Sequence, residues 1–287
     1  MDKIMLNQKT VVDKSAFAVA SALVREADKD RFIASLFAPA GQRGDLLALY
    51  AFDVELARIP QLAKQQIAGE IRLQWWREAV DGSNAHEAEA NPVAGALMQI
   101  VTRHGLSRAA LQAMIDARAS ELFPEPFSTS GDMLVWCDGL HAAQLRLSAR
   151  ILESARATDA DALAVEAGRA LGVTQLLMGF AERAAAGQCI IPVEALAHHG
   201  ASPGDVTAEQ ATPGVLAALS DLRNLARDHL ARAEPLWRAT PVSLRPAFLQ
   251  LPLIAPRLRW LEANASTPFV SGDVAQWKRM WRIWRAT

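Results

Sequence analysis

Cysteine is nearly absent: Cys137 and Cys189 are the only two. Two thiols cannot build the disulfide framework of a small secreted fold, and this pair lacks metal-ligand spacing. They are expected to be buried in a reducing compartment. Tyrosine occurs once, at Tyr50, and aromatic residues make up 6% of the chain. With period-two alternation rare, strand signals are weak throughout. No apolar run reaches the roughly 18 residues a membrane-spanning helix needs. Charge of one sign is not in excess either, at 30 Lys and Arg against 31 Asp and Glu. A general nucleic-acid binder needs surplus cations for phosphate, so no nucleic-acid partner is expected. The opening residues, Met1 to Thr10, have neither the apolar core of a secretory signal nor the arginines of a transit peptide. The expectation is a soluble, cytoplasmic chain.

What the sequence does hold is helix-forming material. Hydrophobic residues are 51% of its 287 positions, enough for a sizeable core. Apolar residues recur three and four apart among Ala, Leu, Arg and Gln, all good helix formers. Helices are predicted over Asp13–Ala27, over about Gln42–Ile59 to a stop or kink at Pro60, and over Gln61–Val80. The last ends at the turn cluster Asp81-Gly82-Ser83-Asn84. Pro92 fits the first turn of a helix closing at His104-Gly105, and Ser107 suits the N-cap of Arg108–Leu122. Two long helices are read over Gly131–Ala155 and Asp159–Ala186, a third over Pro213–Thr240, and shorter ones after Pro246, Pro256 and Gly272. The reading is all-α: residues 1–12 a flexible N-terminus, and 13–287 a single helical bundle around a central cavity.

Signatures of catalysis are sparse. HExxH, CxxC, G-x-S-x-G and P-loop motifs are all missing. Glu194 and His198 share a helical face, and His104 beside Gly105 suits a helix end where the dipole favours a cation. Carboxylates spaced i, i+4 aim two oxygens at one Mg²⁺. Glu26/Asp30 and Asp205/Glu209 have that spacing, but at a helix boundary and in a Pro/Gly-bounded stretch, where solvated charges are expected. Asp53 and Glu55, two apart, point to different faces.

The segment Leu49-Tyr50-Ala51-Phe52-Asp53-Val54-Glu55-Leu56-Ala57-Arg58-Ile59 carries more. With Asp30-Arg31-Phe32 upstream and Arg72-Leu73-Gln74-Trp75-Trp76-Arg77-Glu78 downstream, it resembles the squalene/phytoene synthase family. Further matches are Ile115-Asp116-Ala117-Arg118, Gly168-Arg169-Ala170-Leu171 and Gly187-Gln188-Cys189-Ile190-Ile191-Pro192. The resemblance implies the isoprenoid-synthase helical fold and, for active members, Mg²⁺-dependent head-to-head joining of two allylic diphosphates.

The departures bear on function. In register, the family's Arg falls on Val54 and its D-D-x-x-D aspartates on Ala57, Arg58 and Gln61. Its second aspartate pair falls on Gly179 and Arg183, with Met178 at the preceding Arg and Glu182 the one acid left. Guanidinium repels Mg²⁺, and isolated carboxylates compete poorly for several ions. Ionisation of an allylic diphosphate relies on those ions, so no catalytic residue, metal or other cofactor is expected; Mg²⁺ belongs only to the alternative reading, an active prenyl transferase of carotenoid or hopanoid synthesis. Ala51–Ala57, Leu73–Trp76, Pro246-Ala247-Phe248-Leu249-Gln250 and Trp281-Arg282-Ile283-Trp284-Arg285 resemble a noncatalytic branch, the complex I assembly factor 6 group. That branch implies respiratory complex I subunits or other assembly factors as partners, and this chain reads as its bacterial relative. An all-α shell without turnover also retains room for a lipid, quinone or isoprenoid.

Several residues invite a site. Tyr50, Asp53, Glu55, Arg72, Trp75 and Glu182 are candidates for a remnant pocket or for partner binding. Tyr50 alternatively satisfies a buried partner, and of Trp75 and Trp76 at most one faces the centre. Arg72 and Arg77 suit either an anion or ion pairs with Glu70 or Asp81. Buried acids at 53 or 55 would need a cation, for which Arg58 and Arg183 are the candidates. Near the end, Trp277, Trp281 and Trp284 form a stripe at i, i+4 and i+7, flanked by Lys278, Arg279, Arg282 and Arg285. The stripe suits the headgroup boundary of an anionic membrane on the cytoplasmic side, a groove in a membrane-bound partner, or simply the domain's own core.

Overall fold

The computed structural model describes residues 2–62, 65–123 and 125–287, and among these the side chains from 15 onward except at 61 and 62. The flexible N-terminus expected over residues 1–12 concerns side chains outside that set. All regular structure among the described residues is helical. Chain contacts gather into two units, each drawing on three separate stretches.

The first unit comprises Met1–Leu122, Gln144–Thr158 and Val242–Ala247. Its helices are α1 (Asp2–Ala27), α2 (Lys29–Ser35), α3 (Ala40–Leu62), α4 (Gln66–Asp81), α5 (Ala85–Ala90), α6 (Pro92–His104) and α7 (Arg108–Ser120). Helix α3 is the axis, packed by α1, α4, α6 and α7. Every residue from Asp45 to Val54 is buried, as befits a helix apolar on all sides. Pro60 lies in its last turn, where the chain leaves the helix before α4. The predicted punctuation is met locally. Asn91 accepts from the Val93 and Ala94 amides at the start of α6, and Gly105 closes that helix with φ 59°. Ser107 accepts from Ala110 N to cap α7.

The second unit comprises Phe123–Ala143, Asp159–Pro241 and Phe248–Thr287. Sequence periodicity reads Gly131–Ala155 as one helix. The structure has α8 (Ser130–Cys137), a π-helical turn at Asp138–Ala142 and then α9 (Ala143–Leu152), which from Gln144 onward belongs to the first unit. Likewise Asp159–Ala186 divides into α10 (Asp161–Met178) and α11 (Phe180–Ala185), broken at Gly179, which leaves the helical backbone at ψ 12°. Helices α12 (Val193–His198), α13 (Pro203–Thr207), α14 (Pro213–Ala239), α15 (Leu251–Ala263) and α16 (Gln276–Arg285) follow. The core is α10 against α14, α8, α15 and the π turn. Its glycines explain the close approach: a Cβ on Gly168 would stand 2.5 Å from Ala142 N, and one on Gly172 would stand 2.5 Å from Cys137 Sγ. Among the described residues, no helix is long and apolar enough to cross a membrane.

Candidate functional site

Asp53 sits mid-way along α3, 3% exposed. A lone buried carboxylate would be costly, and here both oxygens are matched. Arg31 Nη1 donates to Oδ2 at 2.7 Å, and Arg118 Nη2 donates to Oδ1 at 3.0 Å. Each guanidinium has a second acid of its own: Asp28 for Arg31 at 2.6 Å, and Glu121 for Arg118 at 2.7 Å. Burial by itself would raise the Asp53 carboxyl; Arg118 and Arg31 outweigh it and hold the group well below the usual carboxylate range. Burial would also lower the Arg31 pKa, but Asp28 and Asp53 drive it upward instead. One turn earlier, Tyr50 is buried and hydrogen-bonded with Ser148, with Arg31 over its ring at 5.3 Å. The expected cation for Asp53 was Arg58 or Arg183. The structure corrects this to Arg31 and Arg118, because Asp53 faces α2 and α7 while Arg58 lies on another side of α3.

That other side lines an open cavity of about 280 Å³ formed by Glu55, Arg58, Ile59, Arg72, Trp75, Trp76 and Asn91. Its size is near the lower end for small-molecule pockets. Arg58 Nη1 lies 3.6 Å from Glu55 Oε1, both about one-third exposed. Arg72 is exposed and has no ion pair among the described residues. Trp76 is 4% exposed and meets Phe52 edge-on; Trp75 stays half-buried, edge-on to Trp76, and its Nε1 donates to Glu87 Oε2 at 3.1 Å. One indole of the two thus faces the core. The structure therefore brings together Glu55, Arg58, Arg72 and Trp75, and separates them from Tyr50 and Asp53. Arg77 pairs with Asp116 at 2.9 Å rather than with Glu70 or Asp81, since α4 packs on α7.

On α10–α11, Gly179 is half-buried, and a Cβ there would lie 3.7 Å from Arg183 Nε and 3.9 Å from Glu182 Oε2. Glu182 is exposed. Ala57 and Arg58 are half-buried, and the Gln61 side chain lies outside the described residues. Among the described residues, no group of three or more His, Cys, Asp or Glu is placed to hold a metal ion. Of the i, i+4 acids, Glu26 and Glu209 are exposed, as expected of solvated charges. Asp205 accepts from Ser202 N and Oγ in a capping box, while Asp30 is buried at 7% exposure rather than solvated. Glu194 accepts from Ser130 N at 2.6 Å, and His104 meets Asp45 at 2.6 Å as well as ending its helix. Both cysteines are free and buried.

The sequence profile of the squalene/phytoene synthase family matches residues 24–284. The chain belongs to that family. Its all-helical fold is shared with a dehydrosqualene synthase solved with a ligand, at TM-score 0.78 and 16% identity over 96% of each chain. A squalene synthase from Alicyclobacillus acidocaldarius superposes at 0.73 and 22% identity, covering 90% of this chain and 97% of that one. By sequence, the chain is 29% identical over 228 residues to NADH dehydrogenase (ubiquinone) complex I, assembly factor 6 of Bos taurus, covering 79% of this chain and 68% of that protein. It is 27% identical over 209 residues to presqualene diphosphate synthase of Sinorhizobium fredii, covering 71% and 72%. Within the family motifs, Arg31, Arg118 and the bidentate Arg169–Asp138 pair at 2.7 and 2.9 Å are structural ties. The matching segments mark Arg31, Arg118 and Arg169; Asp28 and Glu121 are local partners, but Asp53 and Asp138 are distant in sequence and only the fold identifies them.

Proposed function

We propose that this chain is a noncatalytic member of the squalene/phytoene synthase family that assists the assembly of respiratory complex I, working in the cytoplasm with complex I subunits or other assembly factors as partners. The observation that carries the reading is the state of α3. Of its two deeply buried carboxylates, Asp45 is held by Arg103 and His104 and Asp53 by Arg31 and Arg118, and the next turn presents Ala57 and an Arg58 that leans on Glu55. Gly179 and Arg183 stand at the second set of family metal positions. These residues do not fit Mg²⁺: guanidiniums repel a divalent cation, and an oxygen already held by an arginine is a poor ligand. The resemblance to assembly factor 6 proteins supports the direction of the assignment.

Deleting the gene is expected to lower NADH:quinone oxidoreductase activity and the amount of assembled complex I, with restoration by the gene in trans. Normal complex I in the deletion strain would reject the proposal. A second reading, prenyl transfer, is favoured by the similarity to presqualene diphosphate synthases. Product from farnesyl or geranylgeranyl diphosphate with Mg²⁺ would establish it. A lipid or isoprenoid seated in the protein without turnover is compatible with the first reading, and mass spectrometry of an extract of the purified protein tests it.

A further inference from the structure

Helix α16 divides its circumference three ways. At about 100° per residue, Met280, Trp284, Trp277 and Trp281 fall in that order within an arc of about 100°. These four are 42%, 62%, 67% and 47% exposed, so the indole stripe is not packed on the protein's own core. Beyond Trp281 come Arg285, Lys278 and Arg282, a cationic arc of about 60°. The remaining face is the anchor: Ile283 is fully buried on the helix that packs on α15, and Arg279 is tied to Asp273. Asp273 is itself held by Arg257 of α15 at 2.9 Å. Just upstream, Gly272 lies flat on the Trp260 indole, where a Cβ would come within 2.4 Å of the ring. The helix is therefore fastened by one edge, with its aromatic face and the cations Lys278 and Arg285 turned to solvent and Arg282 half-buried.

We propose that α16 is a docking element for an anionic lipid surface. Three indoles side by side are costly to leave in water, and indoles are favoured at the headgroup level, where an apolar ring and a polar N–H are both satisfied. Charge selects the kind of surface. The helix holds four cations and no acid, in a chain whose formal net charge is −1. Lys278 lies 5.5 Å from the Trp277 ring and Arg285 lies 5.1 Å from that of Trp281. Cations so placed border the stripe at the depth of lipid phosphates and reach them by snorkelling. A helix lying in the interface, apolar arc down and cations at its flank, meets both demands at once. This inference stands independently of the complex I reading.

The test is co-sedimentation of the full-length protein with large vesicles, either of phosphatidylcholine alone or with phosphatidylglycerol mixed in. Partitioning onto the mixed vesicles is expected to be at least about tenfold stronger, with a blue shift of tryptophan emission. Trp277→Ser/Trp281→Ser/Trp284→Ser should abolish binding to both. Lys278→Gln/Arg282→Gln/Arg285→Gln should erase the preference for phosphatidylglycerol. All six side chains lie outside the buried Ile283 contact, so both variants should retain the wild-type melting temperature. Should the triple Trp variant melt early, the folded triple Gln variant decides alone. Failure of the wild type to bind either vesicle, or equal binding by folded wild type and Gln variant, overturns the proposal. Capture of a protein partner by α16 without lipid binding overturns it as well.

Discussion

Asp53 and Arg118, sixty-five positions apart in sequence, meet at 3.0 Å in the interior of the first unit, with both side chains at or below 10% exposure. Arg31 closes the other side of the same carboxylate at 2.7 Å. Charge-assisted hydrogen bonds of this cluster help fasten α3 to α2 and α7, in the segment by which the family is recognised.

Asp53→Asn keeps the shape and removes the charge, leaving two buried guanidiniums each with one acid instead of two. The expected loss is about 3 kcal/mol, as for a broken buried pair, read as the shift in urea midpoint. The pH dependence follows from a folded-state pKa depressed below the unfolded value. Stabilisation by Asp53 is present in full above the unfolded carboxylate range and fades as pH falls through that range toward the folded pKa. The gap between wild type and Asp53→Asn should therefore be constant near neutrality and narrow progressively below about pH 4. A gap independent of pH would remove the carboxylate's charge from the explanation.

Arg58→Asp tests the idea that arginines at lost metal positions brace the fold. The structure makes Arg58 a partly exposed i, i+3 neighbour of Glu55 at 3.6 Å, and pairs of that kind contribute well under about 1 kcal/mol. Reversal adds a modest like-charge repulsion with Glu55. The melting temperature should fall by only a few degrees, in contrast to Asp53→Asn; a collapse of the fold would show that Arg58 carries weight beyond this pair.

Much of this was legible from residue pattern. Periodicity and caps locate α6 and α7 to within two residues, because Asn91-Pro92, Gly105 and Ser107 are local signals whose physics needs no partner. Trp75 and Trp76 divide as a helix requires. The breaks inside long periodic stretches were not legible. Nothing local in Asp138–Ala142 announces a π turn, which here accompanies the close approach of Gly168. The same holds for the site. Asp53 could be recognised as an acid in need of a cation, but the choice of Arg31 and Arg118 over Arg58 depends on which helices pack around α3. For α16, the spacing revealed the stripe, and only the exposure of its indoles separates a docking face from a packing face.

Gly168→Ala should destabilise the second unit by about 1–3 kcal/mol, the range for forcing extra atoms into a filled core. A Cβ there meets the backbone of Ala142, at 2.5 Å from N and 2.7 Å from Cα, which no side-chain rotation relieves. Gly41→Ala is the control, since nothing lies within 4 Å of its Cβ and its helical position is exposed. It should be neutral or stabilising by up to about 1 kcal/mol, through reduced freedom of the unfolded chain. Equal effects at the two glycines would refute the close-packing account of the Gly168-Arg169 motif.

Cys137 and Cys189 offer a readout of global opening. Cys137, the last residue of α8, is fully buried against Gly172 of α10, and burial pushes its thiol pKa strongly up, as it does for Cys189 to a lesser degree. The thiolate is the reactive species, so neither sulfur should react with a disulfide reagent while the chain is folded at mildly alkaline pH. Labelling should follow opening of the structure and accelerate with denaturant, with two thiols titrated per chain once unfolded. In Gly168→Ala, Cys137 should label faster than in wild type, because loosening the contact between α10 and the π turn uncovers the sulfur beside Gly172. Rapid labelling of Cys137 in the folded wild type would show that the core around α10 is open on the timescale of the reagent, and the tight packing inferred from its glycines would fail with it.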